Sequence, residues 1–182
     1  MKKSSVRNLA YSGLFLALCL LLPFLTGQIP QFGNMLLPMH LPVLLCGFVC
    51  GWPYGLAVGF ISPLLRSMLF GMPPMFPTAV AMAFELAVYG LLSGLFYKIF
   101  PKKNVFIYVS LILAMAGGRL IWGAVAYLLY GIAGTALTWQ MFLSGAILVA
   151  WPGILIQIVL IPVIVMAINR TKRLDRAQGM AA

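Results

Sequence analysis

The chain has 182 residues, of which 63% are hydrophobic and only 8% charged, with a mean hydropathy of +1.07 and a formal net charge of +10. A soluble domain carries about 25% charged residues, so a water-facing globule is excluded, and the composition predicts an all-α integral membrane protein. Ten of the basic residues flank apolar segments (Lys2, Lys3, Arg7, Lys98, Lys102, Lys103, Arg170, Lys172, Arg173 and Arg176), and only Arg66 and Arg119 fall inside them; this is the positive-inside pattern, which excludes a nucleic-acid stripe.

Hydropathy predicts six transmembrane segments in one membrane domain covering 1–182, with no internal repeat. The first runs over about 7–25 and carries small residues at Ala10, Gly13 and Ala17. It lacks the cleavage site of a signal peptide and is followed by further spans, so it is read as a helix. The loop TGQIPQFGNMLLPMH then places Gln28, Gln31, Asn34 and His40 among prolines and apolar residues. The second segment, about 40–51, is shorter than the ~20 residues a crossing helix needs, so it is tilted, partly re-entrant or extended into the loop. Its Cys46 and Cys50 share a helix face with no acid beside them, which reads as small buried hydrophobes; no metal site is expected.

The third segment, about 54–71, contains Arg66 and leads into the proline-rich loop GMPPMFPT, a stiff apolar turn or a lid. The fourth, about 78–98, contains Glu85, one of only two acids in the chain; the other, Asp175, lies in the basic tail 169–182. The fifth, about 104–131, carries Arg119 after Gly117 and Gly118. The sixth, about 139–168, holds Trp139, Gln140, Ser144 and Trp151, with a kink expected at Trp151-Pro152-Gly153. Six crossings put both termini and the KIFPKK connection on the cytoplasmic side, and the opposite loops hold His40 as their sole ionisable group.

Charges in lipid are expensive and face the bundle interior. At a rise of about 1.5 Å per residue, Arg66, Glu85 and Arg119 lie roughly 8, 12 and 18 Å below the outer helix ends. Their shared depth predicts a polar cavity open to the outside. Glu85 pairs with Arg66, with Arg119 or with a ligand, and Arg66 has the further option of snorkelling to the interface. One carboxylate cannot neutralise two guanidiniums, so the surplus charge favours an anionic ligand. Tyr89 follows Glu85 by one turn and Trp122 follows Arg119 by three residues, which gives an aromatic wall suited to a small planar or amphipathic metabolite. Trp139 belongs to the interfacial aromatic belt. No HExxH, GxSxG or paired-acid motif supports an enzyme, and without a Walker sequence any ATP dependence lies in a partner. No cofactor is expected.

The stretch GWPYGLAVGFISPLLRSMLFGMPPMFP and the first-helix stretch LAYSGLFLALCL, within six helices with basic cytoplasmic ends, resemble the substrate-binding S components of energy-coupling factor (ECF) transporters. The resemblance implies an S-component-like bundle in a prokaryotic plasma membrane. Such a subunit captures a water-soluble vitamin from outside, then topples on docking to a transmembrane scaffold subunit driven by two ATPase subunits. It makes Ala10, Gly13 and Ala17 the docking face, similar to the family's AxxxA motif. Substrate contacts are expected from Asn34, His40, Arg66, Glu85, Tyr89, Arg119, Trp122, Gln140 and Trp151. The arginine surplus leans towards pantothenate or another carboxylate-bearing vitamin; a pyridoxine-like compound, a pyrimidine or a queuosine precursor is the other option. The competing reading is a structural or assembly membrane protein whose buried charges only pair helices.

Overall fold

A computed structural model describes residues 3–26, 35–135 and 138–179, with side chains at 5–25, 35–135, 138–145 and 148–171. The helices are α1 (Lys3–Leu21), α2 (His40–Cys50), α3 (Trp52–Phe70), α4 (Val80–Ile99), α5 (Asn104–Ile132), α6 (Trp139–Leu143) and α7 (Trp151–Gly179). A 3-10 turn, Leu22–Thr26, follows α1, and π turns, Met75–Ala79 and Ser144–Leu148, precede α4 and follow α6. Among the described residues there is no strand. Among the described residues, five stretches are long and apolar enough to cross a bilayer: Ser5–Leu25, Trp52–Phe70, Met75–Ile99, Asn104–Ile132 and Trp151–Thr171. At 11 residues, α2 is too short to do so.

Local chemistry sets the helix boundaries. Gly71 closes α3 in the left-handed region at φ 70°, its N–H bonding Ser67 O at 2.9 Å, a conformation that suits glycine. Thr138 caps α6, its Oγ1 accepting from Met141 N at 3.2 Å. The stretch 139–168, expected to be one helix, is divided. The π turn bonds Val149 N to Ser144 O at 2.9 Å, and α7 starts afresh at Trp151. Pro152 has no N–H to continue the ladder across this point, so the expected kink is a full break.

The central helix is α4, which packs against α2, α3 and α5. Glycines make its contacts with α2 and α3 unusually close. A methyl group at Gly90 would collide with the Gly55 main chain, one at Gly59 with the Leu86 carbonyl, and one at Gly94 with the Trp52 main chain. Small residues at these positions let backbones meet directly, the usual device where lipid removes the hydrophobic drive for helix association. Cys19, Cys46 and Cys50 are buried in the shared apolar core, as small hydrophobes.

Hydrogen bonds identify the two ends of the bundle. At one end Ser5 meets Tyr54, Asn8 donates to Cys50 O, and Asn169 donates to Tyr97 Oη at 2.7 Å. Arg7, Lys98 and Arg170 neighbour these residues in sequence, so the basic flanks gather at this end. Lys102 donates to the Tyr97 carbonyl and lies over its ring at 3.7 Å; the accompanying desolvation lowers its pKa below the ordinary lysine value. At the other end Arg66 reaches Leu20 and Thr78 meets Tyr130.

Candidate functional site

At this second end the helices splay around a cavity of about 730 Å³, within the usual range for small-molecule sites. Each helix from α2 to α6 contributes a polar wall residue: His40, Arg66, Glu85, Arg119 and Gln140 in chain order. Pro23, Leu37, Met39, Met72, Met82, Met141 and Trp122 supply apolar surface. Thioethers adapt to a guest's shape at little cost.

The inner wall is a charge cluster on three helices. Arg119 Nη1 lies 2.8 Å from Glu85 Oε1, and His40 Nε2 lies 3.4 Å from the same oxygen. Tyr89 lies beneath, its ring edge-on to His40 at 5.3 Å between centroids. Glu85 is 1% exposed, so its charge persists only because a guanidinium answers it. The cluster is still under-satisfied: Arg119 Nε and Nη2 and His40 Nδ1 are buried without a hydrogen-bond partner among the described residues. Buried donors left unmade in this way are costly, and a cavity wall is where a ligand or water would complete them.

Arg66 has a different setting. It is 3% exposed, covered by its own protein. Its Nη1 donates to Leu20 O at 2.5 Å, and its guanidinium lies over Phe24 and Phe70 at 5.1 and 5.3 Å. These contacts hold its position without neutralising its charge.

The opposite wall is aromatic and hydroxylic. Trp122 stacks on Phe142 at 5.9 Å, and Phe142 stacks on Trp139 at 5.3 Å. The Trp122 ring also lies against Gly145 of the π turn. Thr78 Oγ1 and Tyr130 Oη, 3.3 Å apart, join the proline-rich loop to α5. That loop is part of the wall through Met72, Pro73 and Pro74.

The structure thus brings together His40, Arg66, Glu85, Arg119, Trp122 and Gln140. Tyr89 is 1% exposed and sits behind the wall, where it supports His40 and Glu85. Trp151 is a correction: it is 56% exposed and outside the cavity lining, because the break before α7 resets the helical phase and turns its side chain outward. Asn34, with Gln28 and Gln31, lies outside the described residues. Sequence reasoning missed Thr78 and Tyr130 as wall residues; the available signal was a hydroxyl at the cavity end of each of two neighbouring helices. On the outside of α1, Ala10, Gly13 and Ala17 are all exposed, and a methyl at Gly13 would meet nothing within 4 Å.

Among known proteins, the family model described as ECF transporter, substrate-specific component, matches residues 7–165. No curated protein and no solved structure matches the chain.

Proposed function

The chain belongs to the family of ECF transporter substrate-specific components, the substrate-binding part of a transporter and not an enzyme, and from that premise we propose that it captures a small carboxylate-bearing vitamin or precursor, such as pantothenate, from outside the cell. The observation that carries this reading is the cavity of about 730 Å³ whose wall holds two arginines and one glutamate. Its walls combine apolar surface with a few convergent polar groups, as ligand sites do. In this reading the bundle crosses a prokaryotic plasma membrane six times, with the short α2 and its preceding loop completing one crossing. The basic end faces the cytoplasm and the cavity faces outward.

Delivery requires partners. In the proposal the exposed Ala10–Gly13–Ala17 face of α1 docks on a transmembrane scaffold subunit that works with two ATPase subunits. Its lack of bulk supports close helix approach.

The purified chain in uncharged detergent is expected to bind one water-soluble vitamin with a Kd of about 1 µM or tighter without ATP. A thermal-shift screen of vitamins and their precursors, followed by calorimetry, reads this directly. If no compound raises the melting temperature and none co-purifies, the capture reading fails. The Glu85–Arg119 pair favours a second reading, a structural protein with helix-locking charges; the same screen rejects it when a ligand binds.

A further inference from the structure

The chain has two acidic residues against the two arginines inside its apolar segments. Glu85 is committed to Arg119 at 2.8 Å. Asp175 stands in the last turns of α7, beyond Asn169, which bonds Tyr97 at the opposite end of the bundle from the cavity. Among the described residues, Arg66 is therefore buried in the cavity wall with no carboxylate to answer it. A guanidinium does not give up its proton in a protein, so the missing charge has to come from another molecule.

We infer that Arg66 is the recognition point for a single negative charge on the ligand, and that the Glu85–Arg119 pair is a fixed wall element. This deepens the capture proposal and rests on it. The geometry divides the labour between the arginines. The Leu20 carbonyl accepts a hydrogen bond from Arg66 Nη1, and the Phe24 and Phe70 rings cover the guanidinium. The side chain is thereby held before any ligand arrives, and the fork needs little reorganisation to take a carboxylate. Glu85, already neutralised by Arg119, does not repel the incoming anion.

Charge counting narrows the ligand class. With His40 neutral, the cavity wall carries one net positive charge from Arg66, Arg119 and Glu85. A monoanion cancels it. A neutral compound leaves Arg66 buried and unanswered, and a phosphorylated analogue brings surplus negative charge into a site of low polarity. The site thus selects a free carboxylate over both its amide or alcohol and its phosphate ester. The same chemistry is offered by one other source, an anionic lipid headgroup, because Phe24 and Phe70 beside Arg66 are partly exposed on the outer surface.

The test uses matched probes on the full chain in uncharged detergent: pantothenate with panthenol and phosphopantothenate, nicotinate with nicotinamide, biotin with its amide, and thiamine, riboflavin and pyridoxine. One acid is expected to bind, with its neutral partner at least about 100-fold weaker. Arg66→Met should abolish that preference, and Arg66→Lys, which keeps the charge without the fork, should bind about 10-fold more weakly. The double variant Glu85→Gln/Arg119→Gln, which alters the wall itself, should bind more weakly overall and still prefer the acid to its neutral partner. If Arg66→Met does not fold, Arg66→Lys and Arg66→Gln supply the comparison. Tight binding of a neutral or cationic vitamin leaves capture standing and overturns the role of Arg66. So does an acid preference that survives at Arg66→Met or disappears with the double variant. Saturable binding of phosphatidylglycerol in nanodiscs, lost in Arg66→Met and not displaced by any acid, assigns the site to lipid and overturns a vitamin carboxylate. Binding of no probe at all defeats the capture proposal and this inference with it.

Discussion

Glu85→Gln removes one member of a buried ion pair and leaves the other in place. At 2.8 Å and an effective dielectric of about 20, the gross attraction is roughly 6 kcal/mol. Desolvation offsets part of this, and breaking such a pair from one side costs about 3–5 kcal/mol because the surviving charge stays buried. Arg119 has a side-chain exposure of 14%, too little to hydrate it fully in place. His40, 3.4 Å from the same oxygen, loses its anionic neighbour as well. The double variant Glu85→Gln/Arg119→Gln, with neither charge present, should recover at least half of the loss. Reversible unfolding in mixed micelles, run on wild type, both single variants and the double variant, gives the coupling free energy directly. A single-variant loss below about 1 kcal/mol, the level of an exposed pair, with additive effects in the cycle, would refute a structural role for the pair.

Other consequences are equally concrete. Gly90→Ala drives a methyl into the Gly55 main chain, and the overpacking should cost about 1–3 kcal/mol or more, read as a lower melting temperature and aggregation in size-exclusion chromatography. Gln157 is fully buried with both amide atoms unpartnered among the described residues, so Gln157→Leu should raise the melting temperature, by about 1–3 kcal/mol of added stability; an unchanged or lowered value would mean that the amide is satisfied by a group such as a trapped water. Gly13→Leu adds bulk where nothing lies within 4 Å; it should leave melting and ligand binding unchanged while abolishing co-purification with a co-expressed ECF scaffold. Trp122→Ala removes a wall ring and the platform under Phe142, and should weaken ligand binding by about 10-fold or more, measured by calorimetry.

The helical class and most helix boundaries were legible because apolar runs, prolines and basic flanks all report the same solvent. Placing three charges at similar depth also predicted a cavity correctly in outline. Depth along a helix could not decide which arginine meets Glu85, since that depends on helix rotation and on what else is within reach. Arg66 is claimed by a main-chain carbonyl 46 residues away, a partner with no sequence signature. Trp151 misled for a related reason: its phase was counted along a continuous helix, and the chain breaks just before it. The glycines of α3 and α4 were plain in the sequence, but their role emerges only when Gly55 meets Gly90.

The glycine contacts of α2, α3 and α4 have an implication for how such a subunit diversifies. Backbone-to-backbone seams tolerate almost no added bulk, so the α2–α4 packing leaves little room for substitution at these glycines. Thr138, Gln140, Met141 and Ser144 instead line the cavity from a five-residue helix, its capping residue and the turn after it, braced by Phe142 against Trp122. Altering those few side chains can change the shape and polarity of that part of the cavity while the glycine seams stay intact. The rigid glycine seams and this short, separately braced part of the cavity wall thus lie on different parts of one small chain.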